Sequence, residues 1–537
     1  MRGLPPVKIT RHIRIIVPLV LASAAALQAE WRTDAGWYVL GAELGAAMPT
    51  GAGIPVLQCE ADADGVNGAP YYYLPQPMTT NPWAGTGAFA GKTFHVLGPD
   101  GVASDHAAAV CAAMCGGASL SPGVTTVYSH EALQFYLDVS GGSTPPTFAD
   151  SGTVQNHSWI AIAADGTEAA ELRTMLRRYD FMLDRDGILG VVALNNGTGN
   201  VPHLMAPSYH AICAGLRNGA HSDSGTLADM DGPGRMKPDL VVDHPYTSLA
   251  APSIASAAAL LYDVIRPAFA SADHPQVVKA LLLAGASKAH LPGWHRQTAA
   301  KPYDNLFGAG ELNVLNSYHI LAAGQHSHSS TTEAASSGWD FNTASVSTAR
   351  QYFFTVPPGR LANTFSAALT WHRVITTSGM PPDVAWDTAL PDLNLRLYAS
   401  TAFTPSAVPI DQSLSGMDNV EHIFLRNLPP GQYMLEVTSD ADLHSYALAW
   451  EARLGPGPVA AARRDAAGNA LVDLSDIDPF VTYTIETSPA LGADAVWSNA
   501  ATLRTADTTP ATTATWRDPA APYPAARFYR LKWTTVR

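Results

Sequence analysis

The sequence predicts an α/β domain built on a parallel sheet, followed by antiparallel β domains. Between residues 36 and 322, short apolar runs alternate with longer helix-like stretches, which is the pattern of a parallel α/β sheet. Beyond residue 338 the apolar period changes to two, as in half-buried strands. A chain of 537 residues also exceeds what one hydrophobic core usually serves, so we expect more than one domain.

The apolar runs of the first half have the length of strands, and they are IPVLQCE, VQNHSWIAI, GILGVVALNN and YHAICAGL. From Glu168 to Leu183, apolar residues recur at spacings of three and four, which predicts a helix with one buried stripe. Gly187 should end that helix before the strand GVVAL. The stripe consists of Leu172, Met175, Leu176, Tyr179, Met182 and Leu183.

The second half begins with small polar residues of low complexity, which predict an exposed linker at 323–338. We expect His326 and His328 to be solvated there rather than to bind metal. Period-two patterns and Pro-Gly turns then predict an antiparallel β-sandwich at 339–455 and a small C-terminal β domain at 465–537. The predicted inward faces of the sandwich are Phe365, Ala367, Leu369 and Trp371, then Leu393, Leu395 and Leu397, then Tyr433, Leu435 and Val437.

The N-terminus has the pattern of a secretory signal over residues 1–29. Lys8, Arg11 and Arg14 precede the run IIVPLVLASAAAL, which ends in small residues, and we expect cleavage near Ala29. No later segment reaches the length of a membrane-spanning helix, so we predict no membrane span. The expected destination is therefore the periplasm or the extracellular space.

The net charge excludes two classes of partner, and the cysteine content argues against a disulfide scaffold. The formal net charge of -14 and the pI near 5.6 provide no basic stripe for nucleic acid or an anionic membrane. Four cysteines in so long a chain do not make a disulfide scaffold. We interpret them as buried thiols and expect no zinc site, because Cys111 and Cys115 have no second pair or histidine at ligand spacing.

Three segments could carry catalytic chemistry. YTSLAAPSIASAAALLYDVI places Ser248 at the N-terminal end of a helix, where the dipole favours negative charge, although Ser248 or Thr247 could simply cap that helix. SDHAAAVCAAMCGG places His106 in a first helical turn, where a neutral surface histidine is the alternative. GIPVLQCE delivers Glu60 at the carboxyl end of a strand, where catalytic groups collect in parallel sheets.

These segments resemble those of subtilisin-like serine peptidases and occur in that family's order of acid, histidine, oxyanion asparagine and serine. YTSLAAP is similar to GTSMAAP, which implies that Ser248 is the nucleophile, and DHAAAVCA is similar to DHGTHVAG, which implies that His106 is the general base. GVVALNNGTG resembles the segment that supplies the oxyanion asparagine, here Asn196 with Asn195 as the alternative. GRMKPDLVV and FGAGELNVLNSY extend the resemblance over about residues 50 to 320.

The resemblance also implies a subtilisin-like doubly wound parallel sheet and a substrate-flanking strand. NHSWI is similar to that strand, so substrate contacts are expected from Ser158, Trp159 and Ile160. We expect a monomer that hydrolyses a protein or peptide substrate without a cofactor, with a structural calcium ion left open. The segment between the predicted cleavage site and Glu60 is too short for the inhibitory folding prodomain that many relatives carry.

The sequence departs from the family at the acid, where Glu60 stands in place of the usual aspartate. A glutamate can still accept a hydrogen bond from imidazole Nδ1 and fix the tautomer. Asp62 and Asp64 are close alternatives for this role. The run EADADG also resembles the opening of a calcium loop, but Tyr71 occupies the position of the bidentate glutamate.

Bulky residues near the nucleophile motivate a rival hypothesis. Tyr246 and Ile160 replace glycines of the family motifs, and Ala109 replaces the second histidine of the histidine motif. With Glu60, they raise the alternative of a secreted, catalytically silent protein in which the peptidase fold serves as a binding or adhesion module. Because bulk beside the nucleophile can narrow the specificity pocket, the family's substrate preference does not transfer.

Overall fold

The computed structural model describes residues 13–16, 31–63, 70–142, 144–163, 169–198, 205–222, 235–378, 385–492, 495–507, 511–520 and 526–533. Most of the predicted signal peptide, the alternative acid Asp64 and most of the calcium-like loop lie outside these residues. The predicted cleavage near Ala29 lies outside them too.

The described residues before 323 form both helices and strands. The strands are β1 (Ile13–Ile16), β2 (Val56–Glu60), β3 (Tyr71–Leu74), β4 (Trp83–Ala84), β5 (Thr93–Val96), β6 (Gly101–Ala103), β7 (Thr126–Glu131), β8 (Val154–His157), β9 (Ile160–Ala163), β10 (Leu189–Ala193), β11 (Ile212–Leu216) and β12 (Leu240–Val242). The helices are α1 (Trp37–Leu44), α2 (Asp105–Cys115), α3 (Ala132–Ser140), α4 (Ala169–Asp186), α5 (Thr247–Ala268), α6 (Pro275–Gly285) and α7 (Val314–Ala322).

A sheet of eight strands forms the centre of the described α/β half. Its order is β12-β11-β10-β8-β2-β7-β5-β4, and neighbours pair in parallel except at the β4 edge. Strands β2, β10 and β11 are buried along their whole length, as expected for a sheet covered on both faces. The predicted parallel sheet is therefore present.

Strand periodicity decides which side chains of β2 face which layer. Val56 belongs to the core that contains α2, α5 and α6, whereas Leu57 and Cys59 belong to the core beneath α3 and α4. Side chains two apart in a strand share a face, so Gln58 and Glu60 point toward the layer of α2 and α5. That layer carries the predicted histidine and serine.

The predicted amphipathic helix is confirmed as α4. Met175, Leu176, Tyr179, Met182 and Leu183 are buried, and Leu172 packs against the same core. Gly187 follows with a φ of 65°, a left-handed conformation that glycine adopts without steric cost.

Helix α5 runs through the centre of the domain. It is the one helix in the described residues that is long and apolar enough to cross a membrane, but 83% of its apolar window is buried inside the protein. Packing against the sheet accounts for its apolar composition. At the edge of the α/β half, Ile13–Ile16 pair antiparallel with Ile160–Ala163.

The described residues after 322 form antiparallel sheets. The strands of the sandwich are β13 (Ser337–Thr343), β14 (Arg350–Val356), β15 (Leu361–Trp371), β16 (Val374–Ser378), β17 (Ala385–Ala389), β18 (Leu393–Thr401), β19 (Thr404–Pro405), β20 (Asp411–Ser413), β21 (Val420–Leu428), β22 (Gly431–Ser439) and β23 (Ser445–Gly455). Those of the C-terminal region are β24 (Val459–Arg464), β25 (Ala470–Ser475), β26 (Tyr483–Ser488), β27 (Ser498–Leu503), β28 (Ala514–Arg517) and β29 (Phe528–Trp533).

Two sheets enclose the core of the sandwich, one ordered β13-β23-β15-β21 and the other β14-β22-β18-β19 with β20 beside β18. The three inward faces predicted from the period of two are confirmed, because all their residues lie in this core. In the C-terminal region, sheets β24-β25-β28 and β27-β26-β29 share a smaller apolar cluster. The predicted linker ends at Ser337, where β13 begins.

Candidate active site

Glu60 and His106 form a buried hydrogen-bonded pair. Glu60 ends β2, and His106 lies in the first turn of α2, which begins after the capping residue Ser104. His106 Nδ1 lies 2.7 Å from Glu60 Oε2, and the two side chains are 7% and 1% exposed. A carboxylate at this distance accepts the Nδ1 hydrogen, so Nε2 keeps its lone pair and can act as a base.

The electrostatics of the pair follow from its burial. Burial lowers the pKa of His106, but the charge of Glu60 and the hydrogen bond to it outweigh that effect, so the pKa lies above its ordinary value. Burial raises the pKa of the Glu60 carboxyl, and the charge of His106 and its hydrogen bond offset this only in part. Removing the carboxylate charge would therefore lower the pKa of His106.

Ser248 is the second residue of α5, as predicted, and is 2% exposed. The helix begins after Tyr246, and no side chain caps it. Among the described residues, neither Ser248 Oγ nor His106 Nε2 has a hydrogen-bond partner. The interpretation of Ser248 or Thr247 as a helix cap is therefore wrong. Ser248 Oγ and His106 Nε2 are both available for new hydrogen bonds.

Asn196 is held beside the start of α5. Its Oδ1 accepts hydrogen bonds from the backbone N–H of Thr247 at 2.8 Å and from Thr247 Oγ1 at 3.1 Å. Thr247 Oγ1 also lies 2.5 Å from the carbonyl oxygen of Leu194, the residue that follows β10. Because these contacts occupy the amide oxygen, the side-chain NH2 of Asn196 is the group left to donate to another acceptor.

A narrow cleft lies beside these residues. Its volume is about 10 Å³, close to the space that one water molecule requires. Ser158 Oγ donates to the carbonyl oxygen of Ser248 at 2.9 Å and accepts from Asn156 Nδ2 at 2.9 Å. The lining residues are Ser158, Trp159, Ile160, Ala193, Leu194, Asn195, Asn196, Thr247 and Ser248. The three predicted substrate-contact residues and both asparagines thus meet at one cleft.

The alternative acid Asp62 has other contacts. Its Oδ1 accepts a hydrogen bond from the backbone N–H of Tyr72 at 3.0 Å. Of the two acids within the described residues, it is Glu60 that pairs with His106. The four cysteines are buried with free thiols, and Cys111 Sγ lies 3.7 Å from Cys115 Sγ.

Three positioning contacts were not predicted from the sequence. Gln58 Nε2 donates to the carbonyl oxygen of Ala107 at 2.7 Å and so ties the sheet to the first turn of α2. Thr247 orients Asn196, and Ser158 holds the backbone at Ser248. The period of two in β2 indicates that Gln58 shares a face with Glu60, but the other two contacts join segments far apart in the chain.

No family model matches the sequence, and no curated protein matches it. Solved structures do show likeness. The prenylagaramide maturation protease PagA is 15% identical, with a TM-score of 0.33 over 53% of this chain and 98% of that one. A serine protease of Aeromonas sobria is 14% identical, with a TM-score of 0.33 over 76% of this chain and 89% of that one. The PatG macrocyclase in complex with peptide is 12% identical, with a TM-score of 0.34 over 52% and 94%. At these values, a function for this chain has to rest on the geometry of its own residues.

Proposed function

We propose that this protein is a secreted serine endopeptidase of the subtilisin-like kind, with Ser248 as nucleophile, His106 as general base and Glu60 as the acid. The observation that carries the proposal is the buried pair of Glu60 and His106, 2.7 Å apart, with the free Nε2 of His106 in the same layer as Ser248. A buried imidazole oriented by a carboxylate is the arrangement that activates a serine hydroxyl.

The proposed reaction is acyl transfer to Ser248. His106 Nε2 removes the hydroxyl proton as Oγ attacks the peptide carbonyl carbon, and the resulting imidazolium returns that proton to the amine when the C–N bond breaks. Water then hydrolyses the acyl-enzyme by the same route. The Asn196 NH2 and the backbone N–H of Ser248 stabilise the oxyanion.

Ser248 Oγ and His106 Nε2 have to come into hydrogen-bond contact for this chemistry. In unliganded enzymes such contacts are often long and shorten when substrate binds. His106 lies on α2 and Ser248 on α5, and neither atom has a hydrogen-bond partner among the described residues. Binding of a peptide therefore does not have to break an existing hydrogen bond of either atom.

The edge of β9 that pairs with Ile13–Ile16 supports a peptide as substrate. Ile13–Ile16 pair antiparallel with β9, which begins at Ile160 in the lining of the cleft. Once the proposed cleavage near Ala29 removes Ile13–Ile16, an extended peptide can pair with the same backbone groups by strand addition. We expect the narrow cleft to favour a small side chain at the residue whose carbonyl is attacked.

The second candidate is a catalytically silent secreted protein that uses this fold for binding. The small volume of the cleft and the bulk of Ile160 favour it. It predicts that peptides bind without being cleaved, so hydrolysis separates the two candidates.

The test compares casein hydrolysis by the purified protein and its Ser248→Ala variant. We expect hydrolysis by the parent and none by Ser248→Ala. The matched control is Ser271→Ala, because Ser271 is exposed and contacts only Gln325 through its hydroxyl, at 2.8 Å, among the described hydrogen bonds. Equal rates for the parent and Ser248→Ala would exclude Ser248 as the nucleophile, and an inactive parent would favour the silent protein.

A further inference from the structure

Three potential metal ligands meet where the α/β half contacts the sandwich. Asp184 lies on α4, His210 precedes β11, and His372 follows β15 of the sandwich. One potential ligand atom of each residue lies within 4.8 Å of those of the other two. The cluster shares no residue with the candidate active site and is independent of the proposed function.

Both histidines are oriented by oxygen atoms on their Nδ1 side. His210 Nδ1 lies 2.7 Å from the backbone oxygen of Asp180, and His372 Nδ1 lies 2.6 Å from Asp184 Oδ1. His210 therefore donates its Nδ1 hydrogen and presents a lone pair at Nε2, the orientation found in metal-binding histidines, whose second nitrogen donates to a carbonyl or a carboxylate. In His372 it is Nδ1 that faces Asp184, so an ion held by both residues would take the place of the hydrogen between them.

The two Nε2 atoms are buried and have no hydrogen-bond partner among the described residues. His210 is 1% exposed and His372 is 6% exposed. A buried polar atom without a partner is costly, and native structures seldom keep one without a reason. The unpartnered Nε2 of His210, in a ring stacked on that of His372, points to a ligand shared with His372 and Asp184.

We propose that Asp184, His210 and His372 bind one divalent transition-metal ion of the zinc class, which joins the sandwich to the α/β half. Two imidazoles and a carboxylate suit Zn²⁺ and its neighbours, whereas Ca²⁺ and Mg²⁺ prefer oxygen ligands. The carboxylate of Asp184 is 54% exposed, which gives an ion a path from solvent.

Binding requires a rearrangement of the rings. They are stacked with centroids 3.8 Å apart and planes 12° from parallel. Because a metal ion lies close to the plane of each imidazole that binds it, one ring has to tilt out of the stack. His372 is the ring held by the exposed Asp184, and we expect it to move.

A second cluster of potential metal ligands is already neutralised by an arginine. Asp34, His290 and Glu311 also bring potential ligand atoms within 4.8 Å of one another. Arg217 NH1, however, lies 2.5 Å from Asp34 and 3.0 Å from Glu311. Its guanidinium already neutralises these carboxylates, so we expect no metal there.

Titration calorimetry with Zn²⁺ on the chelator-treated full-length protein tests the proposal. We expect one ion per chain, and Kd at least about 10-fold weaker in Asp184→Asn, His372→Gln and His210→Gln. The control is His319→Gln, because this exposed histidine lies 2.8 Å from Glu43 on another surface and should leave Kd unchanged. Asp184→Asn is the decisive variant, because its exposed position makes misfolding of the variant least expected.

A second readout does not depend on activity, which zinc could also affect at His106. Saturating Zn²⁺ should raise the thermal unfolding midpoint of the native protein and not that of Asp184→Asn. Absence of stoichiometric binding to the native protein would overturn the proposal. Binding that persists in Asp184→Asn and His372→Gln, or that is lost in His106→Ala instead, would also overturn it.

Discussion

At the scale of single residues, the unusual feature is a glutamate where the resembled family has an aspartate. Its longer side chain still reaches the histidine, since Glu60 Oε2 lies 2.7 Å from His106 Nδ1. Glu60 ends β2 on the face of the sheet that packs against α2, and this position brings its carboxylate to His106. The longer side chain is therefore compatible with the hydrogen bond.

Glu60→Gln should lower kcat by roughly 10³- to 10⁴-fold with little change in KM, because the acid acts through His106 and not on the bound substrate. An amide can present its NH2 to Nδ1 and stabilise the wrong tautomer. Steady-state kinetics on one peptide substrate measure both constants.

Two variants serve as controls for this experiment. Glu60→Asp keeps the charge and the acceptor and should retain more activity than Glu60→Gln. Asp62→Asn should stay close to the parent, because Asp62 hydrogen-bonds to the backbone N–H of Tyr72. An inactive Asp62→Asn beside an active Glu60→Gln would assign the acid role to Asp62.

The pH dependence should report the raised pKa of His106. Only neutral imidazole accepts the serine proton, so kcat/KM should fall on acidification, with its inflection above the ordinary value of about 6.5. In Glu60→Gln the inflection should move to lower pH, because burial lowers the pKa of His106 once the neighbouring charge is gone. A profile that is flat from about pH 8 to about pH 4 would exclude a histidine base.

The local sequence indicates the elements that carry these residues, but not the contacts that support them. Glu60, His106 and Ser248 each stand at the end or start of an element, where strand and helix patterns are informative. The role of Thr247 depends on Asn196, 51 residues earlier, and that of Ser158 on Ser248, 90 residues later. Spacing along the chain contains no signal for such contacts.

At the scale of elements, two serines on helix α5 differ in their hydrogen bonds. Ser248 Oγ has no hydrogen-bond partner among the described residues, whereas Ser256 Oγ accepts from the backbone N–H groups of Leu120 and Ser121 at 2.8 and 2.9 Å. The first hydroxyl is therefore available for chemistry. The second joins the helix to the segment that follows α2.

Ser248→Ala should change the free energy of unfolding by less than about 0.5 kcal/mol, because no hydrogen bond is lost. Ser256→Ala should cost about 1 to 3 kcal/mol, because it leaves the buried N–H of Leu120 without an acceptor and that of Ser121 with only Ser119 Oγ, at 3.2 Å. Urea denaturation of both variants measures the difference. A large loss in Ser248→Ala would mean that its hydroxyl is structural.

The sequence predicted that these strands and helices exist, but not their exact boundaries or their pairing. The period of two identified the strands of the sandwich core, and the spacing of three and four identified α4. The sequence did not predict the pairing of Ile13–Ile16 with β9, because the same residues match the pattern of a secretory signal peptide.

At the scale of the whole molecule, the sandwich is joined to the α/β half by buried contacts. Trp339, Ala368 and Ala449 belong to the same apolar core as α5 and α6. Thr370 Oγ1 donates to the carbonyl oxygen of Gln276 at 2.8 Å. We expect the two parts to unfold together.

Arg373 and Asp180 form an ion pair across this junction, 2.8 Å apart, with side chains 2% and 0% exposed. Arg373→Met should lower the free energy of unfolding by about 3 to 5 kcal/mol, because it leaves a buried carboxylate without its partner. Arg360→Met on the exposed surface of the sandwich is the control. Calorimetry should show one transition at a lower midpoint, and an unchanged midpoint would contradict the role of this pair.

This junction could not be predicted from the sequence, because each contributing segment is consistent with the core of its own domain. Period and composition assign Trp339 and Ala368 to strands but not to a partner. The linker suggested separate units, whereas the contacts join them in one core.

The central claim is that Ser248 is a nucleophile activated by His106. A fluorophosphonate probe followed by peptide mass spectrometry tests it most directly, because the probe reacts with an activated serine and not with an ordinary hydroxyl. We predict one adduct, on Ser248, that is lost in Ser248→Ala and strongly reduced in His106→Ala. Absence of labelling in the folded native protein, or labelling of Ser248 that does not depend on His106, would contradict the claim.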